Sequence, residues 1–97
     1  MKYTLITSKN FLRDLKTCKK RGYDINKLWD VIGKLQSGTT LPPSYRPHKL
    51  SGNHEGEWEC HIGPDWLLIW EQNETELTLL MLSTGTHSDL FYKNNNV

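Results

Sequence analysis

A chain of 97 residues supports one domain, residues 1–97, with one modest core and no room for a second. The N-terminus, MKYTLITSKNF, has no long apolar run, and no stretch approaches the roughly 20 residues that span a bilayer. The sequence therefore reads as a soluble cytoplasmic protein with no membrane partner. Its net charge of +1 hides a division: residues 1–50 hold eight Lys and three Arg against three Asp, a balance of +8, while residues 51–97 hold one Lys against six Glu and two Asp, a balance of −7. Such asymmetry points to a nucleic-acid partner, or to basic helices lying against an acidic sheet.

In chain order, Tyr3 to Ile6 is a strand candidate. Ser8 caps a helix whose apolar positions Phe11, Leu12, Leu15 and Cys18 follow helical spacing; Lys9, Arg13, Lys16, Lys19 and Lys20 face away, and Gly22 closes it. Asp24 caps a second helix with Ile25, Leu28, Trp29, Ile32 and Leu35 on one stripe, ending near Gly38. Thr39 to Pro47, with three prolines, reads as an extended loop. Beyond it the period becomes two: Trp58, Cys60 and Ile62 face one side of a strand, and Glu57, Glu59 and His61 the other. Gly63-Pro64-Asp65 turns, Trp66 to Trp70 returns as an apolar run covered on both sides, Gln72 to Thr75 turns again, and Leu77 to Leu82 is a third strand. Gly85 to Phe91 forms a last helical turn capped by Thr86 or Ser88, and Asn94, Asn95 and Asn96 fray. Cys18 and Cys60, in no CxxC arrangement, read as two free thiols.

Four residues carry candidate chemistry: His48 in PHKLSG, His61 and Asp65 flanking the hairpin turn, and His87 in TGTH. The turn itself brings His61 and Asp65 close; adding His48 and His87 requires the fold. His54, in a Gly-Asn-His-Glu-Gly loop, reads as an ordinary loop residue. Imidazoles serve as acid and base near neutral pH. RNA cleavage without metal needs both, to take the 2′-hydroxyl proton and to protonate the departing 5′-oxygen. The same four residues could instead ligate zinc, but no HxH, HxxxH or CxxC spacing supports it, so no metal and no cofactor are expected. No nucleophile elbow supports a serine triad.

The segments YRPHKLSG, WECHIGPDWLLIW and TGTHSDLF, in this order and spacing, resemble the YafQ-type toxins of the RelE/ParE superfamily, small mRNA interferases of bacterial type II toxin–antitoxin systems. The resemblance covers nearly the whole chain. It implies an α+β fold, a RelE-like single domain with two N-terminal helices packed on a mostly antiparallel sheet and a short C-terminal helical turn. It also implies ribosome-dependent cleavage of translated mRNA and neutralisation by a DinJ- or RelB-like antitoxin, through which the complex binds operator DNA. By the same match, His48, His61, Asp65 and His87 are catalytic, with His87 the general acid, and Trp66 and Phe91 contact RNA. Family members commonly carry an arginine where this chain has Ser83; a protonated histidine, Arg46 or Lys49 is the expected substitute cation on the RNA. Lys and Arg on the helices would grip ribosomal RNA while the acidic half binds free RNA poorly. Two alternatives are a ParE-like toxin acting on a protein target and a catalytically decayed antitoxin-binding scaffold.

Overall fold

The computed structural model describes residues 1–92; the three asparagines expected to fray lie outside the described residues. A five-stranded sheet runs in the order β1-β5-β4-β3-β2, built from β1 (Thr4–Thr7), β2 (His48–Lys49), β3 (Glu57–Gly63), β4 (Trp66–Asn73) and β5 (Thr78–Gly85). Helices α1 (Lys9–Lys20) and α2 (Ile25–Gln36) cover one face, α1 along β5 and α2 on β3. All neighbouring strands pair antiparallel except β1, which runs parallel to β5 with Thr4 opposite Thr78. The expected α+β architecture is the one observed.

Both helices start where the sequence places their caps. Ser8 accepts from the Phe11 amide and Asp24 from the Asn26 amide, each satisfying a donor that the first turn leaves open. The apolar stripes are rotated slightly from expectation. Leu12 and Trp29 are exposed, whereas Val31 is fully buried beside Leu28 and Ile32. Trp29 instead offers its ring edge-on to Phe11, with centroids 6.4 Å apart. The core between helices and sheet gathers Phe11, Cys18, Leu28, Ile32, Cys60, Ile62, Leu68, Trp70, Leu79 and Met81. Burying each such side chain removes roughly 1.5–3 kcal/mol of apolar exposure, which dominates the stability. Cys18 and Cys60 are free, buried thiols, as expected, and burial pushes Cys60 up to about 12.

The central strand β4 is buried over its whole apolar run, Trp66 to Trp70, as its lack of alternation predicts. A smaller cluster of Leu67, Ile69 and Leu90, with Leu50, Leu82 and Phe91 against it, floors the face away from the helices. The edge of β5 is exposed beyond the end of β1, and α1 closes it with side chains. Ser8 Oγ and Asn10 Nδ2 donate to the Leu82 carbonyl at 3.0 and 3.1 Å, and the Asp14 carboxylate accepts from the Thr84 amide at 3.2 Å. The proline-rich loop contains a single 3₁₀ turn at Pro43–Tyr45 and is pinned by buried Leu41. The two-residue strand β2 follows directly on the loop Thr39 to Pro47 and pairs His48 with Glu59.

Candidate active site

The site lies on the sheet face opposite the helices, and the β3–β4 hairpin sets its geometry. A two-residue turn, Pro64-Asp65, joins Gly63 to Trp66, and a register shift between His61 and Gly63 bulges the strand beside the histidine. Such bulges bend a strand and re-aim its side chains. His61 sits opposite Leu67 and Glu59 opposite Ile69, so both polar groups stand on the smaller apolar floor.

His87 is held from two directions. The Asp65 carboxylate accepts from the His87 backbone amide at 3.0 Å and contacts its ring Nδ1 at 2.7 Å. An Nδ1–H donated to Asp65 leaves Nε2 as the nitrogen that gives or takes a proton. The His87 amide, then its ring, hold the Asp65 carboxyl below its ordinary value. From the other side, Thr86 and Asp89 bond reciprocally: the Asp89 amide donates to the Thr86 hydroxyl at 3.1 Å and the Thr86 amide to the Asp89 carboxylate at 3.0 Å. This is a capping box, so Thr86 rather than Ser88 starts the last turn, a π-helix over Ser88–Tyr92. Arg21, just past the end of α1, grips the same carboxylate with two nitrogens at 2.5 and 3.1 Å, and this pairing holds Asp89 far below the usual carboxylate range. Gly85 is required here, since a Cβ on it would lie 2.8 Å from the Asp89 carboxylate.

Three imidazoles form a row. The ring centroids of His48 and His61 are 6.4 Å apart, and those of His61 and His87 5.9 Å. Glu59 sits among them, only 5% exposed, with Oε1 at 3.2 Å from His48 Nε2 and 4.0 Å from His61 Nε2. His48 Nδ1 is 2.7 Å from the Arg46 carbonyl. Burial lowers the His61 pKa first, Arg46, His87 and His48 lower it further, and only Glu59 opposes them. These influences together favour the neutral form of His61, the form in which an imidazole can accept a proton. Asp65, which flanks the turn with His61, bonds to His87 rather than to His61. Glu59 is the site residue that sequence reasoning passed over; its position two residues before His61, on the same strand face, was the available signal.

The residues expected to contact RNA divide. Trp66 is a correction: it is 8% exposed on the helix side of the sheet, tilted against Tyr23 at 4.9 Å, with Nε1 donating to the buried Thr84 hydroxyl at 2.9 Å. Its position opposite Gly63 points it into the main core, so it offers no face to a base. Phe91 does reach the site, 6.3 Å from the His87 ring, and packs against the apolar floor. Lys49 lies over the Trp58 ring at 5.4 Å, and Trp58 packs against the helix-side core, away from the histidines. Arg46 stands beside His61 with a left-handed backbone, φ 48°, which costs a non-glycine residue about 1–2 kcal/mol. Ser83 pairs with Ile69 and so stands on the cleft face. His54 lies in its loop with Nδ1 3.1 Å from a Glu57 oxygen, and its ring meets Phe91 edge-on at 5.5 Å. Among the described residues no group of three or more His, Cys, Asp and Glu is arranged to hold a metal ion.

The sequence matches the family described as "Bacterial toxin of type II toxin-antitoxin system, YafQ" over residues 3–92. The chain belongs to the YafQ toxin family. It is 38% identical over 85 residues to the mRNA interferase toxin YafQ of Escherichia coli K12, covering 87% of this chain and 90% of that one. Among solved structures of the YafQ fold, the metal-bound toxin from Helicobacter pylori superposes with a TM-score of 0.86 at 40% identity, covering 92% of this chain and 99% of that one. The toxin of the E. coli DinJ–YafQ toxin–antitoxin complex superposes with a TM-score of 0.84 at 33% identity, covering 94% and 99%. No helix among the described residues is long and apolar enough to cross a membrane.

Proposed function

We propose that this chain is a single toxin domain that acts in the cytoplasm as an mRNA interferase, cleaving translated mRNA on the ribosome by metal-free acid–base chemistry. The observation that carries the reading is the row of three imidazoles, with the end ring, His87, oriented by Asp65. In the reaction, neutral His61 takes the proton of a 2′-hydroxyl, whose oxygen bonds to the adjacent phosphorus. The bond from phosphorus to the 5′-oxygen breaks, and His87 gives that oxygen a proton from Nε2. The strand ends as a 2′,3′-cyclic phosphate and a free 5′-hydroxyl. Glu59 orients His48 and His61 from below, and Phe91 packs beside His87 to seat a base. The ring centroids of His61 and His87 are 5.9 Å apart, close enough for both imidazoles to reach one phosphodiester.

The charge division supports the choice of substrate. The cations of α1 and α2 suit ribosomal RNA, and the decoding site then presents the mRNA to an otherwise acidic half. A small antitoxin of the DinJ kind, encoded alongside, would hold the toxin inactive and carry the complex to operator DNA. In vitro translation with the purified chain, followed by mapping of mRNA ends, tests the reading. Cleavage within the reading frame to cyclic-phosphate ends is expected. Intact transcripts in a reaction whose translation stops would instead mark a protein target, and undisturbed translation a scaffold without activity.

A further inference from the structure

Beside His61, the middle ring of the imidazole row, lies a cavity of about 510 Å³, lined by Lys27, Ser44, Tyr45, Arg46, His61 and the end of β3 at Gly63 and Pro64. Its size falls within the range of small-molecule sites, roughly 300–1,000 Å³. No carboxylate lines it. Two residues there are poorly placed for stability. Lys27 sits in the first turn of α2, where the helix dipole disfavours a cation. Arg46 holds a left-handed backbone, φ 48°, that glycine would adopt more cheaply. Among the described residues neither has an ion-pair partner, whereas Arg21 and Lys34 have carboxylates of their own. Two unneutralised cations, a serine hydroxyl and a phenol thus converge on one cavity whose inner wall is His61.

The ligand that fits such a lining is a phosphate with a sugar attached. A single RNA strand brings phosphates in series, so a strand with its scissile phosphate between His61 and His87 carries the next one past His61. We propose that this cavity is the seat of the nucleotide adjoining the scissile bond, with Lys27 and Arg46 on its phosphate. The proposal rests on the nuclease reading for the identity of the strand. In this role Lys27 and Arg46 are positioning residues that fix the register of the RNA against His61.

The test uses the full chain and a 2′-O-methyl RNA trinucleotide, which cannot be cleaved, at millimolar concentration. Amide signals of Lys27, Tyr45, Arg46 and Gly63 should shift saturably by NMR. The Lys27→Gln/Arg46→Gln double variant should fold normally, because both side chains are exposed, and bind about tenfold more weakly, in keeping with the loss of charge-assisted hydrogen bonds. Its slope of log affinity against log salt should fall by about 0.7, the share of one single-strand phosphate. Arg46→Lys should recover part of the affinity, and Lys2→Gln, beside Tyr3 and outside the cavity lining, should change nothing. Equal affinity and salt slope in the double variant, or shifts confined to other surfaces, would overturn the seat. If the wild type binds the trinucleotide with these signatures yet cleaves no mRNA on ribosomes, the seat stands and the nuclease reading falls.

Discussion

Cys60, Ile62, Leu68 and Trp70 face the helices, while their neighbours Glu59, His61, Leu67 and Ile69 face the other way. The first set lies under two helices and contains nothing that must titrate at neutral pH; even its thiol is pushed up to about 12. The second set stands on a thin apolar floor open to solvent on its far side, and there the same physics does something different. Partial burial keeps His61 neutral while leaving it reachable, and buried Glu59 is tolerated because two imidazoles stand beside it. Two alternating strands thus yield a dry core from their even-numbered residues and a titratable surface from their odd-numbered ones. The asymmetry comes from what covers each face, not from composition.

That comparison can be broken residue by residue. The largest effect should come from His87→Ala, on the open face. A general acid is worth about 10²–10⁴-fold in rate, so cleavage should vanish from an mRNA-end mapping assay. Circular dichroism and antitoxin binding should stay as in the wild type, because the ring is 48% exposed. A variant that unfolds would mean that His87 belongs to the core after all.

Trp66→Phe probes the covered face. Losing the Nε1 donor leaves the buried Thr84 hydroxyl with one partner fewer, at a cost of about 1–3 kcal/mol. Denaturant melts should record that loss while cleavage per folded molecule holds; a loss of activity at unchanged stability would restore Trp66 to the RNA.

The next effect is on pH dependence. Because the folded-state value of His61 is lowered, the folded protein binds fewer protons than the unfolded chain just below the ordinary imidazole value of about 6.5. The stability that depends on neutral His61 is therefore present above that value and lost as pH falls below it toward the folded value. His61→Gln should flatten this slope in melts between pH 7 and 5. In the wild type the acidic limb of the cleavage profile should sit below 6.5, and a limb above it would remove His61 as the base. The smallest effect falls to His54→Ala, which withdraws an edge-on partner from Phe91. An aromatic pair is worth about 0.5–1.5 kcal/mol, so cleavage should drop roughly 2- to 10-fold. No change at all would return His54 to the plain loop residue that its sequence context suggests.

The fold was largely legible. Helix caps, the alternation of β3 and the unbroken apolar run of β4 are local patterns, and local patterns are what periodicity reads. The site was legible only in part. His61 and Asp65 flank one turn, but Asp65 pairs with His87 22 residues away, and a register of that range leaves no local trace. Trp66 was misplaced because an indole beside a carboxylate looks the same whether it faces solvent or core. The bulge at His61, which decides how the turn is set, has no signature beyond Gly63. Leu12 and Trp29 show the same limit on the helices, where a stripe of four or five positions still leaves its margin in water.

The parallel pairing of β1 with β5 has a consequence for the newly made chain. The first strand finds its partner only when residues 78–85 have been synthesised, and His87 follows later still. Contacts this distant in sequence form late and slowly. A nascent chain therefore carries helices, hairpin and two of the three histidines of the row without an assembled site.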